Sequence, residues 1–255
     1  MFPTDATLAA FGLFLVRSSA LVVAVPLVSK IGFAMYKIAL VVVLAGVMYS
    51  TCGTPAVEFD GFLDWGLLAI REFLIGLGLA MLLQVALLAA RVGGELVGLE
   101  MGIQMGAQVD PVSGVSTPLI ASYYEEVLII GLFAVNGHHW IVRGLRESFE
   151  RAPVGSAYFD LGIVELITTF FREMFSAGLA FVAPIVVLMS LVSLVVGLIA
   201  RTVPQINVLE LSFTLRIAVA LVGLVLFAPG LEVLVSVVMD QLDQYTSAFL
   251  DLLEA

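Results

Sequence analysis

Charge is scarce in this chain. Only 13% of its residues are Asp, Glu, Lys or Arg and 61% are hydrophobic, where soluble domains run at about 25% charged and about 45–50% apolar. A water-soluble monomer of this composition could not cover its surface with polar groups, so bilayer or tightly packed partners must supply the rest. Cations are scarcest: 11 Lys and Arg stand against 21 Asp and Glu, a formal net charge of -10. No basic residue follows Arg216, whereas Glu232, Asp240, Asp243, Asp251 and Glu254 crowd the C-terminal stretch. This balance excludes nucleic acid, whose phosphates need clustered cations, and an electrostatic anchor on the anionic cytoplasmic leaflet. One cysteine, Cys52, excludes an intrachain disulfide and reads as a small buried apolar residue. The two histidines, His138 and His139, are adjacent and lack an HExxH or Cys–His setting, so no metal site is expected. Neither a GxSxG elbow nor a P-loop is present, and no catalytic residue or cofactor is expected. The apolar stretch 6–16 has no basic segment before it and reads as a retained helix rather than a cleaved signal.

What the chain does have is length in its apolar runs. A bilayer span needs about 20 mostly apolar residues. Charge-free runs cover 38–57, 73–90 and 174–200; 6–27 qualifies if Arg17 is tolerated, 118–136 carries Glu125 and Glu126, and 211–231 carries Arg216. About six helical segments follow, and 255 residues fit a single helical domain over 1–255 better than a transporter of two six-helix halves. The fold expected is all-α: polytopic membrane-type helical hairpins with kinked helices. Pro26 and Pro184 should kink or end theirs. Topology is weakly marked, with Arg71, Arg143, Arg146, Arg151 and Arg172 on one side of a six-span arrangement and Lys30, Lys37, Arg91 and Arg201 on the other. Charges inside apolar segments are expensive unless paired or facing protein. Both features are those of a chain whose faces meet other subunits.

The most informative local pattern is a glycine every fourth residue, at Gly94, Gly98, Gly102 and Gly106. On a helix these line one face and form a groove where another backbone can approach closely. Each costs about 1 kcal/mol of helix propensity relative to Ala, which close packing must offset. Met101 and Met105 run alongside, suited to core filling or a deformable contact. The helix cannot continue past Asp110-Pro111. Residues 112–117 are small and polar and read as a loop, and Pro118 suits the first turn of the next helix. At membrane depth such an element is allowed only where it is buried in protein or lines a cavity. The longest polar stretch, 136–160, reads as a solvated amphipathic connector in which Glu147 has helical salt-bridge spacing to Arg143 and Arg151. Residues 232–254 have the pattern of an acidic amphipathic helix suited to a protein partner.

Several motifs occur in a recognisable order: Gly94-Glu95-Leu96-Val97-Gly98-Leu99-Glu100-Met101-Gly102, Val109-Asp110-Pro111, Asn136-Gly137-His138, Pro153-Val154-Gly155, Ala183-Pro184, and Arg201-Thr202-Val203-Pro204-Gln205-Ile206-Asn207. In order and spacing they resemble the FliR/SctT family, the R-type subunit of the flagellar export gate and its virulence type III counterpart. The resemblance covers nearly the whole chain. It implies a subunit built like a P-type unit joined to a Q-type unit, assembled with P-type and Q-type subunits into a helical gate in the bacterial inner membrane at the flagellar basal body. The B-type switch subunit is a further implied partner, and unfolded export substrates are the cargo. The loop after the glycine-lined helix would plug the closed pore, which places Met105, Gln108, Val109, Asp110, Pro111, Ser113 and Gly114 in the plug. Asn136, Gly137, His138, Pro153, Gly155, Pro184, Arg201, Pro204, Gln205 and Asn207 carry the family pattern. The Pro-Gln-x-Asn motif points to the flagellar rather than the virulence system.

Two rivals of other classes stand beside this reading. A small secondary transporter would use Glu125 or Glu126 with Arg71 or Arg216 as an ion relay. An intramembrane enzyme would need a nucleophile–base or metal constellation, and none is visible.

Overall fold

The computed structural model describes residues 5–26, 33–53, 61–102, 119–156, 160–202 and 207–254, and every regular element among them is an α-helix. In chain order they are α1 (Asp5–Ala24), α2 (Ala34–Thr51), α3 (Phe62–Met101), α4 (Leu119–Ala134), α5 (Gly137–Arg151), α6 (Gly162–Thr202), α7 (Val208–Leu226) and α8 (Gly230–Asp251). Four helices, α1, α2, α3 and α6, are long and apolar enough to cross a membrane. The pairs α4–α5 and α7–α8 meet the same condition jointly but are bent by 74° and 63°, so up to 6 spans are possible. The all-α, polytopic expectation is met.

The bends have local causes. Between α4 and α5, Asn136 takes the left-handed conformation (φ 60°, ψ 28°), which Asn tolerates better than most residues. Val135 N–H closes α4 onto the Gly131 carbonyl, and His139 N–H opens α5 onto that of Asn136. Between α7 and α8 the chain turns through Phe227, Ala228 and Pro229. The proline has no N–H to continue the helix. By contrast Pro184 lies inside the 41 residues of α6, which continues across it. Of the two outcomes expected at Pro184, termination is therefore excluded. The Ala180 carbonyl loses its helical donor, a loss that helices in apolar surroundings tolerate where neighbouring segments pack closely. α7 starts on an Asn207 cap: its Oδ1 accepts a long hydrogen bond from Glu210 N–H at 3.5 Å, and its Nδ2 donates to Glu210 Oε2 at 3.2 Å.

The chain divides into two compact units. The first comprises Met1–Val85, Asn136–Phe171 and Asp240–Ala255; the second comprises Ala86–Val135 and Arg172–Met239. In the first, α1 packs on α2, which buries only Val41, Ala45 and Met48 and turns Met35, Ile38, Val42 and Val43 outward. Phe14 stacks on Phe149 at 4.4 Å between ring centres and meets Tyr49 edge-on at 5.5 Å. The stretch read as a solvated connector is largely helix α5, with one face buried through Trp140, Leu145, Ser148 and Phe149. Its ion pairs also differ from those the spacing suggested. Arg146 pairs with Glu150 at 2.8 Å, and Arg151 turns out of the helix to Asp251 at 2.8 Å and Glu254 at 4.0 Å. The core of the second unit is built on Ala90, Val97, Leu128, Met174, Val182 and Met189, and also buries the Tyr124 hydroxyl.

Candidate functional site

Arg17 is the charge that the apolar α1 had to accommodate, and the first unit is organised around it. Its side chain is fully buried, as is that of Glu72 on α3, and the two form an ion pair at 2.6 Å. The guanidinium uses its planar fork of donors completely. Nε donates to Glu72 Oε2 at 2.6 Å, Nη1 to the Ser148 carbonyl at 2.7 Å and its hydroxyl at 3.3 Å, and Nη2 to the Ala152 carbonyl at 3.0 Å. The Phe149 ring lies 4.3 Å beneath the guanidinium carbon, a cation–π contact. Ser148 and Ala152 stand at the C-terminal end of α5, where a cation is favoured; the Ser148 carbonyl accepts from Arg17 in addition to the Ala152 N–H at 3.1 Å. The second carboxylate oxygen of Glu72 accepts from Gly155 N–H at 3.2 Å. Gly155 has φ 86°, a conformation that side chains other than glycine rarely take. One ion pair thus joins α1, α3, the end of α5 and the turn after it.

In the second unit the close approaches are between backbones. A Cβ on Gly94 would lie 2.6 Å from the Ala121 Cα and 2.8 Å from the Ile120 carbonyl oxygen, so α3 and α4 cross at backbone contact. Its neighbour Gly93 faces α6, where a Cβ would come within 2.7 Å of Val182. From α6, Gly178 faces α3, and a Cβ there would collide with the Ala89 carbonyl and sit 2.9 Å from the Ala89 Cα. Gly98 is buried. Gly102 ends α3 with φ 73°, its N–H bonded to the Leu99 carbonyl at 3.0 Å, and a Cβ on it would lie 2.6 Å from the Phe213 ring. Arg216 of α7 donates to the Glu100 carbonyl at 3.2 Å. So α7 holds the C-terminal end of α3 through one aromatic ring and one cation.

The remaining residues singled out by sequence are distributed as follows. Gly106 and the plug residues Met105, Gln108, Val109, Asp110, Pro111, Ser113 and Gly114 lie outside the described residues, as do Pro204 and Gln205. Met101 is buried in the core. Asn136 and Gly137 form the α4–α5 turn, and His138 is half-buried in the first turn of α5. Pro153 accepts a hydrogen bond from Ser156 N–H at 3.0 Å in the turn that presents Gly155 to Glu72. Arg201 is exposed in the last turn of α6. Arg216, considered with Glu125 or Glu126 for an ion relay, donates to the Glu100 carbonyl. Glu125 is half-buried and Glu126 exposed. Among the described residues no group of three or more His, Cys, Asp or Glu side chains could hold a metal ion.

The Arg17–Glu72 pair was missed from sequence, although its signal was there. An arginine in the middle of an apolar helix implies a buried partner. Glu72 was hidden by its neighbour Arg71, with which it reads as an ordinary pair of charges at the edge of an apolar run.

Long apolar helices, bent helix pairs, crossings at backbone contact and a buried ion pair define a polytopic helical membrane protein. Comparison with known proteins narrows the class. Residues 8–244 match the family described as bacterial export proteins, family 1, and the chain belongs to that family. It is 32% identical over 228 residues to the flagellar biosynthetic protein FliR of Bacillus subtilis (strain 168), covering 85% of each chain. To the FliR of Escherichia coli (strain K12) it is 29% identical over 163 residues, 64% of this chain and 62% of that protein. The secretion system apparatus protein SsaT of Salmonella typhimurium is 26% identical over 167 residues, 65% of this chain and 64% of that one.

Proposed function

We propose that this chain is a non-enzymatic subunit of the bacterial flagellar protein export gate, seated in the inner membrane at the flagellar basal body. The observation that carries the reading is the match to FliR of Bacillus subtilis over 85% of both chains. The lower identity to SsaT makes a virulence secretion apparatus the weaker alternative. The four to six apolar spans and the outward-facing apolar side chains of α2, α3 and α6 support a membrane subunit covered by lipid and by P-type and Q-type neighbours. The B-type switch subunit and unfolded export substrates complete the proposed partners.

Within this reading, the segment from about 105 to 117 acts as the plug of the closed pore. Its supports are the glycine-lined end of α3 that leads into it and the grip of Phe213 and Arg216 on that end. A tightly held helix terminus that leads, past Asp110-Pro111, into the small polar residues 112–117 would let this segment switch while the packed helices stay in place. Deleting residues 110–117 should leave assembly intact and make the membrane leak ions; unchanged conductance in an assembled complex would count against the plug.

Deletion of the gene in the flagellated parent, with complementation, tests the function as a whole. Loss of swimming and of flagellin export, both restored by the full chain, is the expected result. A tagged copy should be recovered in mild detergent as one chain in a discrete complex with two other small hydrophobic proteins. A swimming deletion strain, or recovery of a lone monomer from cells making the partners, would overturn the reading and return attention to Glu125 and Glu126.

A further inference from the structure

In the second unit a recess lies beside α6 at the α7–α8 break, and we propose that it is a binding site for one phospholipid acyl chain. The proposal rests on the proposed function and on α6 and the α7–α8 pair, which are long and apolar enough to span a membrane, lying in the bilayer. The recess has a volume of about 370 Å³, and its walls include Ala180, Phe181 and Pro184 of α6, Phe227 at the break, and Val233 and Leu234 of α8.

Three features of the chain create it. Ala180 presents only a methyl group to the gap, and Pro184 interrupts the hydrogen-bond ladder behind it. The bend of 63° between α7 and α8 turns α8 out of the line of α7 and leaves a gap beside α6. Gly230 begins α8 without a side chain at the point where a Cβ would stand 3.5 Å from the Phe181 ring. Ala180 and Val233 are exposed while Leu234 is buried, so the recess opens at the surface and is floored by the core.

The chemistry of the lining selects the occupant. Every lining residue is apolar. An apolar cavity of about 150 Å³ already stays dry and takes up a hydrocarbon, and this one is more than twice that size. Little of the lining surface is polar, so water gains few partners there, and an unfilled recess of such volume forfeits dispersion contacts along its walls. The surface beyond the mouth is also apolar, with Val187 and Val233 more than half exposed. A lipid chain that covers that surface can enter the recess without leaving hydrocarbon.

The test uses the full chain reconstituted in phosphatidylethanolamine–phosphatidylglycerol vesicles with a trace of phosphatidylcholine bearing a diazirine at its acyl end. After photolysis the adducts are mapped by peptide mass spectrometry. Adducts on Phe181, Phe227 and Leu234 should exceed those on Val187, Leu191 and Leu194 of α6 severalfold, and Ala180→Phe should abolish that excess. Val237 of α8 also lines the recess, and Val237→Phe gives the same readout should Ala180→Phe misfold. Equal labelling of recess and outer face, or an excess untouched by both filled variants, would show bulk lipid only and overturn the site. Absence of label from all of α6 and α8 would overturn their membrane placement, and the site with it. In native membranes, a benzophenone side chain at position 233 that cross-links to a polypeptide in place of lipid would also overturn it.

Discussion

The two compact units of this chain meet the problem of building a stable interior in opposite ways. The first holds both buried charged side chains among the described residues, Arg17 and Glu72, and also buries Ser18, Ser148 and Thr246. The second holds none of them and relies on glycines and alanines that let helix backbones touch. The difference concerns what each interior specifies. Arg17 has directional donors spent on one carboxylate and two carbonyl groups, so a single arrangement of α1, α3 and the end of α5 satisfies it. Packing between small residues is not directional, and its specificity comes from shape: where Gly178 meets Ala89, nothing larger than hydrogen fits. A polar node fails all at once, whereas a packed crossing fails in proportion to the atoms forced into it.

The largest effect should come from splitting the node. Glu72→Ala leaves Arg17 buried without its counter-charge, and about 3–5 kcal/mol of stability should be lost. Thermal unfolding in detergent, followed by fluorescence of Trp65 and Trp140 in the same unit, measures it. Replacing both partners, as Arg17→Met with Glu72→Leu, should recover a large part of that loss, because no charge is then stranded. If single and double variants fall equally, the pair does not distinguish the two units.

Next come the crossings, for which α6 supplies its own control. Gly178→Ala should destabilise by about 1–3 kcal/mol through overpacking against the α3 backbone. Gly197→Ala, with nothing within 4 Å of its Cβ, should be neutral or stabilising by up to about 1 kcal/mol. Equal effects at both sites would mean that helix propensity, and not contact, sets the cost. A smaller change is expected at the end of α3. Gly102→Ala should cost about 1–2 kcal/mol for its left-handed backbone, plus the clash with Phe213, and Phe213→Ala should remove only the second part in a double-mutant cycle. The smallest is the surface pair on the first unit: Arg151→Ala should cost less than about 1 kcal/mol, and 1 M salt should erase the difference.

Which parts of this architecture were readable in advance follows from how local each feature is. The apolar runs and the glycine period are features of neighbouring residues, and α1, α2, α4 and α7 lie close to the runs that announced them. Helices α3 and α6 extend well beyond their charge-free runs because a charge at the edge of a run, such as Arg91 or Arg172, does not stop a helix in the absence of glycine in the left-handed conformation or of a proline break. Among the described residues the bends of 74° and 63° fall at Asn136 and at Phe227–Pro229, while α6 continues across Pro184, since a proline inside a helix removes one hydrogen bond and a left-handed residue redirects the whole chain. For α5, spacing alone suggested Glu147 as the partner of Arg151, but the acids at the end of α8 stand closer once the unit has closed.

By itself the sequence determined an all-helical chain for apolar surroundings, with segments long enough to span a bilayer and with the ordered motifs of bacterial export proteins. These follow from hydrophobic run length, helical period and residue identity, all of which are local. Only the tertiary structure decided that Arg17 pairs with Glu72, 55 residues away, and reaches Ser148, 131 residues away. It also decided that the backbones of α3 and α6 touch at Gly178. Helix formation satisfies each backbone within four residues of itself, so it leaves no mark of which distant side chains a buried charge or a missing Cβ will meet.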